Sequence, residues 1–334
     1  MRRNRRLAAL SACLFLFLVA CAENAPQDTL EPKGDVARRI DNLIDPVFIV
    51  AGVVFVLVEG LILLAMFKFR ARPDSPEPEQ IHGNTRLEVG WTLAPALILV
   101  AVAVPTIATI FDLARKPDNP INVTVNARQF WWEYVYEDLG VVTANELRMP
   151  AGRPVELTLH SEDVIHSYWI PPLAGKMDVV PGRSNRMHVE ADAPGEYLGQ
   201  CTEFCGDSHA NMRNKAIAMT PQDFDAWVAG QRAGAVAPTP GSPAEEGALV
   251  FNQRGCGSCH TVAGLSNGII GPNLTHFATR TTFAGSMFDN NDANLRKWLS
   301  DPQGVKPGNK MLIPGGRLNP DEVTKLIAYL NTLR

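Results

Sequence analysis

Over the first third of the chain the apolar residues do not alternate with polar ones but run together. Residues 45–69, from Asp45-Pro46-Val47 to Met66-Phe67-Lys68-Phe69, are apolar except for Glu59 and close against Lys68, Arg70 and Arg72. Residues 89–113, from Val89-Gly90-Trp91 to Phe111-Asp112-Leu113, form a second run interrupted by Pro95 and Pro105. Each exceeds the roughly 20 residues a helix needs to cross a hydrocarbon core. Prolines are tolerated in such helices where neighbours satisfy the freed carbonyls. The pattern therefore predicts a transmembrane hairpin. Within it, Glu59 faces either a partner subunit or an interface wet enough to keep it charged.

A shorter apolar run, Leu7 to Ala20, follows the basic Met1-Arg2-Arg3-Asn4-Arg5-Arg6 and reads as a secretory signal over 1–20. It ends Leu18-Val19-Ala20-Cys21, which resembles the bacterial lipobox and would make Cys21 the lipidated first residue. An ordinary signal peptide cut nearby, or an uncleaved anchor, is the competing reading. The signal places both ends of the hairpin outside. The connection bearing Arg70, Arg72 and Arg86 is then cytoplasmic, as the positive-inside rule prefers.

From Asn119 the period changes to alternating β-branched and aromatic segments. Ile121-Asn122-Val123-Thr124-Val125, Trp131-Trp132-Glu133-Tyr134-Val135-Tyr136, Val155 to His160 and Met187 to Glu190 are separated by Pro/Gly turns. This predicts an antiparallel sandwich or barrel. Pro221 to Gln231 reads as a short helix, and the Gly/Ala/Pro-rich stretch 232–243 as a linker. A helix opens at Pro243, Gly/Pro loops follow, and an amphipathic helix from Pro320 to Leu330 closes the chain. The layout is 21–118 for the N-terminal segment and hairpin, 119–231 for the β domain and 244–334 for a last domain.

Length and charge change this picture little. A chain of 334 residues fits two or three domains. A net charge of −4 without a basic tract argues against a nucleic-acid partner.

The chemistry concentrates in two places. In Cys201-Thr202-Glu203-Phe204-Cys205-Gly206-Asp207-Ser208-His209-Ala210-Asn211-Met212, two thiols, an imidazole and a thioether share one loop at the far end of the β domain. Such soft donors favour copper or iron–sulfur chemistry over magnesium or calcium. A Cys201–Cys205 disulfide is the bland alternative. A further histidine is expected from the other edge of the sandwich, and Val164-Ile165-His166-Ser167-Tyr168-Trp169 supplies His166, whereas His160 and His188 alternate within strands as structural residues.

The second place is Cys256-Gly257-Ser258-Cys259-His260, the c-type haem attachment pattern: two thiols add to the haem vinyls and the adjacent histidine ligates iron. A redox disulfide or a zinc half-site would need a thioredoxin-like pattern or a second ligand pair, and neither is present in the sequence. Met311, on a Pro/Gly loop before the last helix, is the expected sixth ligand; Met287 is its rival. Methionine/histidine ligation raises a haem's potential.

The pairing of Val164-Ile165-His166-Ser167 with the Cys201–Met212 loop closely resembles subunit II of haem–copper cytochrome c oxidases. The likeness runs from the first span to Met219. The domain from Cys256 to Arg334 resembles the cytochrome c fused to subunit II in one bacterial branch, the caa3 type. The resemblance implies a multidomain membrane protein: a two-helix transmembrane hairpin, a cupredoxin-like antiparallel β-sandwich and an all-α class I cytochrome c domain.

It also implies a binuclear copper A centre. Cys201 and Cys205 would bridge, His166 and His209 would supply one imidazole per copper, Met212 a weak thioether and Glu203 its backbone carbonyl. The Glu203 side chain matches the family's magnesium or manganese ligand at the boundary with subunit I. Cys256 and Cys259 would carry haem c, with His260 and Met311 as axial ligands. Glu88, in Arg86-Leu87-Glu88-Val89-Gly90-Trp91-Thr92, matches a carboxylate near the entrance of a proton channel; an ordinary interfacial glutamate capping a helix is the alternative.

One position departs from the family pattern. Where many relatives carry the tryptophan that accepts electrons from soluble cytochrome c, Gln129-Phe130-Trp131-Trp132 places Phe130, with Trp131 the nearest candidate.

The implied function is that of the electron-accepting subunit of a terminal oxidase in the bacterial plasma membrane, with copper and haem domains on the outer face. Electrons pass from haem c to copper A and on to subunit I, where oxygen is reduced with proton pumping. Its partners would be subunits I and III and, upstream, a cytochrome bc complex or a cytochrome c. Quinol oxidase relatives have lost the copper ligands, all of which are present here. A membrane-anchored copper-binding or assembly protein is the alternative from another class, which co-purification with a large polytopic subunit would discriminate.

Overall fold

The computed structural model describes residues 25–70, 73, 77, 80 and 82–334. The signal segment 1–20, the lipidation candidate Cys21 and Arg72 lie outside the described residues.

The hairpin is built from α1 (Asp35–Lys68) and α2 (Thr85–Leu113). Both are long and apolar enough to span a membrane, and their apolar windows are not buried in protein. Asn84 caps α2, its side-chain oxygen accepting from the backbone N–H of Arg86 and Leu87 at 3.1 and 3.3 Å. Glu88 lies in the first turn, where a carboxylate complements the helix dipole. The first helix starts well before the expected residue 45. Its opening turns change environment: Val36 and Ala37 are buried against the β domain, and the Arg38 guanidinium forks onto the Asp192 carboxylate at 2.9 and 2.8 Å. Reading apolar runs alone misses this protein-facing extension. At the open end of the hairpin, away from its connecting turn, Arg39 of α1 pairs with Asp112 of α2.

Ten strands follow: β1 (Ile121–Arg128), β2 (Trp131–Tyr136), β3 (Val141–Ala144), β4 (Glu146–Pro150), β5 (Val155–Ser161), β6 (His166–Trp169), β7 (Met177–Val179), β8 (Asn185–Val189), β9 (Gly195–Cys201) and β10 (Arg213–Met219). They form two five-stranded sheets, ordered β3-β2-β1-β5-β8 and β4-β10-β9-β6-β7. In β1, Ile121, Val123, Val125 and Ala127 point inward at alternate positions, as period-two patterning requires. Trp132, Tyr134, Tyr136 and Tyr168 fill the core between the sheets. Each such side chain contributes roughly 1.5–3 kcal/mol by leaving water.

The sandwich departs from the expected all-antiparallel pairing: β1 runs parallel to β5, and β4 parallel to β10. Between the strands of each pair several others intervene, long enough to return the chain in the same direction. The helix α3 (Pro221–Gln231), capped by Thr220, closes the domain by laying Trp227 on Tyr136 with ring centroids 5.5 Å apart.

The last domain is held by α4 (Pro243–Gln253) against α7 (Pro320–Leu330). They meet where Gly247 faces the backbone of Lys325; a Cβ at that glycine would lie 2.0 Å from the Lys325 carbonyl oxygen. Phe251 stacks edge-on against Tyr329, and Arg254 forks onto Glu322 at 2.8 and 2.7 Å. Two further helices, α5 (Asp292–Ser300) and α6 (Pro302–Val305), occupy a region read from sequence as loops. The signal for α5 was present: Asn291 caps it, and Leu295 and Leu299 recur at i and i+4 on a charged background. Two very short antiparallel pairs, Thr261–Val262 with Ser266–Asn267 and Thr282–Phe283 with Phe288–Asp289, interrupt the otherwise helical domain.

The two globular domains are joined by a polar interface. Glu146, fully buried, accepts at Oε1 from the backbone N–H and hydroxyl of both Thr281 and Thr282, at 2.7–3.0 Å. Its Oε2 takes Arg148 Nη2 at 3.0 Å, and the same nitrogen donates to the Thr279 carbonyl. The linker segment lies along this seam, with Arg232 donating to the Leu139 carbonyl and Ala235 packed on the last domain's core.

Candidate metal centre and the adjoining pocket

Strand pairing brings the soft ligands together. His166 opens β6 and Cys201 ends β9, neighbouring strands in register Tyr168↔Cys201. The loop beyond Cys201 turns back through a short 3-10 turn, His209–Asn211, and is closed by the Cys201 N–H donating to the Met212 carbonyl at 2.9 Å. Cys201, Cys205, His166 and Met212 are all buried, and His209 is half-buried.

The donor atoms converge. The sulfurs of Cys201 and Cys205 are 3.9 Å apart, too far for a disulfide. His166 Nδ1 lies 3.9 Å from the Cys201 sulfur, and His209 Nδ1 lies 3.5 Å from the Cys205 sulfur. Met212 Sδ is 3.8 Å from Cys205 Sγ, and the Glu203 carbonyl oxygen is 3.3 Å from Cys201 Sγ. Among the described residues, the ligand atoms of His166, Cys201 and Cys205 lie within 4.8 Å of one another. The six groups named from sequence are therefore in one place, while the Glu203 side chain itself is exposed.

The electrostatics suit a cation. The hydrogen bond from Cys205 holds the Cys201 thiol well down, to about 4, against burial and with help from His166. The same contact, with burial, pushes Cys205 up, so binding a metal through both sulfurs must release a proton from it. Burial opposes charge on His166, but the Asp163 hydrogen bond and Cys201 outweigh it and raise its pKa. Asp163 Oδ1 accepts from His166 Nε2 at 2.8 Å, which leaves Nδ1 directed at the sulfurs. Burial works against ionisation of Asp163, yet hydrogen bonds from His166, the backbone N–H of Gln129 and Val164, and Lys310 hold it well below the usual carboxylate range. The Trp132 ring stands edge-on to His166 at 6.0 Å and stiffens the site from the core side.

Beside this loop lies a large, mainly apolar pocket in the last domain. Cys256, Cys259, His260 and Met311 all line it; Met287 does not. The thiols sit on a 3-10 turn, Cys256–Ser258, that presents both to the same side. His260 Nδ1 donates to the Pro272 carbonyl at 2.8 Å, which fixes the ring and leaves Nε2 for the pocket. Burial lowers the His260 pKa, keeping the ring neutral as a ligand must be. Gly271 is pressed against that ring; a Cβ there would lie 2.5 Å from His260 Cε1. The Met311 backbone is set by Asn309 Oδ1, which takes its N–H at 2.8 Å, and by Gln303, which donates to its carbonyl at 3.2 Å.

The sequence did not single out Arg280. It is buried in the pocket wall, one guanidinium nitrogen donates to the Asn273 carbonyl, and its Nε has no partner among the described residues. Burial lowers its pKa to about 10, and Glu146 acts to raise it. A flat apolar macrocycle with carboxylates at one edge fits such a pocket, because a buried unpaired N–H is costly until an anion meets it. The only sequence signal was one arginine among Gly/Pro loops.

Phe130 and Trp131 also line this pocket, across the domain boundary. Phe130 is 3% exposed, covered by the last domain rather than open to an external donor. Glu88 lies on the hairpin, away from both sites, with its side chain exposed.

Family profiles match along the chain. One described as the cytochrome c oxidase subunit II transmembrane domain covers residues 31–109, the subunit II periplasmic domain covers 141–218, and cytochrome c covers 244–334. Cytochrome c oxidase subunit 2 of Alkalihalophilus pseudofirmus is 40% identical over 330 residues, spanning 96% of this chain and 95% of that protein. Its counterpart in Bacillus sp. strain PS3 is 35% identical over 352 residues, spanning 99% and 98%. Among solved structures, the periplasmic domain of cytochrome oxidase subunit II from Bradyrhizobium japonicum overlays with a TM-score of 0.34 at 26% identity, covering 35% of this chain and 96% of that one.

Proposed function

The chain belongs to the cytochrome c oxidase subunit 2 family, and from that premise we propose that its Cys201–Met212 loop holds a binuclear copper A centre fed by haem c in its own C-terminal domain. It is the subunit II of a terminal oxidase, with oxygen reduction in subunit I. When bound, the copper centre and the haem supply one-electron redox chemistry.

The chain's own residues do the holding. Cys201 and Cys205 would hold both coppers, His166 and His209 would each serve one, and Met212 and the Glu203 carbonyl would complete the set. The observation that carries this reading is the symmetry of the donors, one imidazole nitrogen beside each of two sulfurs 3.9 Å apart. A single-metal thiolate site would not require two equivalent halves. Asp163 orients His166, and the buried walls exclude water. In the neighbouring pocket Cys256 and Cys259 would attach the haem, His260 and Met311 would hold its iron, and Arg280 would meet a haem carboxylate.

The exposed Glu203 side chain is free to reach a magnesium or manganese ion shared with subunit I, and Glu88 stands at the mouth of a proton channel there. Subunits I and III are the membrane partners, and a cytochrome bc complex or a cytochrome c is the donor to the haem. The domains sit on the outer face of the plasma membrane, consistent with the arginines between the spans. The test is metal and haem analysis of the oxidase with Cys201 and Cys205 intact and with both replaced by serine, because a haem–copper oxidase also holds copper in subunit I: the intact complex should carry about two more copper ions per covalent haem, as a thiolate-bridged pair requires. Equal copper in the two would overturn the assignment.

A further inference from the structure

Gln129 is the last residue before the aromatic segment, and it touches both arms of the copper site. Its side-chain Nε2 donates to the carbonyl of Cys205 at 2.6 Å. Its backbone N–H donates to Asp163 Oδ2 at 2.8 Å, and Asp163 Oδ1 holds His166 Nε2 at 2.8 Å. The same residue lines the pocket that contains Cys256, His260 and Met311. Among the described residues, it joins that pocket to a bridging cysteine by one hydrogen bond and to a copper-ligating histidine by two.

The geometry around it is fixed. Lys306, 2% exposed, donates from Nζ to the Phe130 carbonyl and to the Ala284 carbonyl, both at 2.7 Å. Ser208 donates to the Pro307 carbonyl at 2.6 Å, and Lys310 reaches Asp163 Oδ2 at 3.1 Å. These contacts hold the loop carrying Met311 against the copper loop, with Gln129 between them. One backbone link is as short, the Arg213 N–H donating to the Gly285 carbonyl at 2.9 Å, but it ends beside the thioether Met212 and not on a thiolate or imidazole. The side-chain links are longer. Lys310 reaches Asp163 only through its full side chain, and the Ser208–Pro307 contact leads to Met311 through several further peptides.

We propose that Gln129 is a positioning residue that couples the haem pocket to the copper centre, offering one bonded route to Cys205 and another through Asp163 to His166. Electronic coupling falls more steeply across a through-space gap than along covalent and hydrogen bonds, so a bonded bridge between the two sites favours the transfer. In the loaded subunit one electron would leave the ferrous haem, which would become ferric, and the oxidised copper pair would gain it. No bond is made or broken and no proton moves; the upstream one-electron donor refills the haem, and subunit I drains the copper. This inference rests on the haem and copper assignments above.

The experiment uses the complete oxidase with Gln129→Leu, which keeps the bulk and removes the amide donor. Gln129→Glu is a second variant that puts an acceptor against the Cys205 carbonyl. After flash reduction of the haem, the haem-to-copper step should be slower than wild type in both, because the route to the Cys205 carbonyl is lost while the backbone route through Asp163 remains. Copper and haem content should be unchanged, and the thiolate–copper absorption should shift because Cys205 has lost its partner. Asn126→Leu, which removes an amide that donates to Glu133 at 2.8 Å and reaches neither site, should leave the rate at the wild-type value. A wild-type rate and unshifted absorption in Gln129→Leu, or an equal slowing in Asn126→Leu, would overturn the proposal. Absence of the thiolate–copper absorption from the wild-type protein would instead overturn the metal assignment on which it stands.

Discussion

Lys306 Nζ lies 2.7 Å from the carbonyl oxygen of Phe130, so a cation of the last domain is buried on the backbone of the copper domain. Burial pushes its pKa down from 10.5 to about 7, with Cys205 acting weakly the other way. Below about pH 7 the ammonium is charged in folded and unfolded chains alike, so its contribution does not vary with pH. Between about 7 and 10.5 the unfolded chain binds the extra proton, and folded stability gains up to about 1.4 kcal/mol per pH unit. Denaturant unfolding of wild type and Lys306→Met at matched pH should show their difference flat in acid and rising in favour of wild type across that window. A constant difference would contradict this.

Glu146 ties the two domains by accepting four hydrogen bonds at one oxygen and pairing with Arg148 at the other. Glu146→Ala strands those donors, and truncating one partner of a buried, hydrogen-bonded charge costs about 2–5 kcal/mol. Hydrogen exchange should show the amides of Thr281 and Thr282 losing protection while the β1–β5 ladder keeps its own. Glu146→Gln should sit between the two.

Met311→Leu should abolish the visible signature of methionine-ligated ferric haem and lower the potential, since methionine ligation raises it. Met287→Leu should leave both as they were. Absorption spectra and redox titration of the purified subunit decide between the two residues.

Replacing Cys205 by serine removes the sulfur that neighbours both His209 and Met212, the one the proposed copper pair would share. Elemental analysis should find copper largely lost and covalent haem retained. Retained copper with an unchanged spectrum would contradict the bridging role.

Arg280→Leu should lower the haem potential, because a buried positive charge at the pocket wall favours the reduced, less positive iron. The covalent haem content should not change, since the attaching thiols lie elsewhere on the pocket.

Much of this was legible because local chemistry announced it. Cys256-x-x-Cys259-His260 and the Cys201–Met212 loop carry their donors within a few residues, and strand pairing then only had to bring in His166. The apolar spans and the closing helix were visible for the same reason, a period sustained over many residues. What escaped was set by contacts distant in sequence. The early start of α1 depends on Leu173 and Asp192, the parallel strand pairs on crossovers, and the buried Glu146, Lys306 and Arg280 on the meeting of two domains. No periodicity in a segment encodes a partner more than 100 residues away.

Gln129, Phe130, Trp131 and Asn145 form a wall of the pocket that holds Cys256 and His260, although they belong to another domain. That wall acts as a dielectric shutter. With the domains together, the haem edge sees protein; with them apart, it would see water, which stabilises the more highly charged oxidised form. Docking therefore sets the driving force as well as the distance, and a cytochrome domain cut free of this chain should be the stronger reductant of the two.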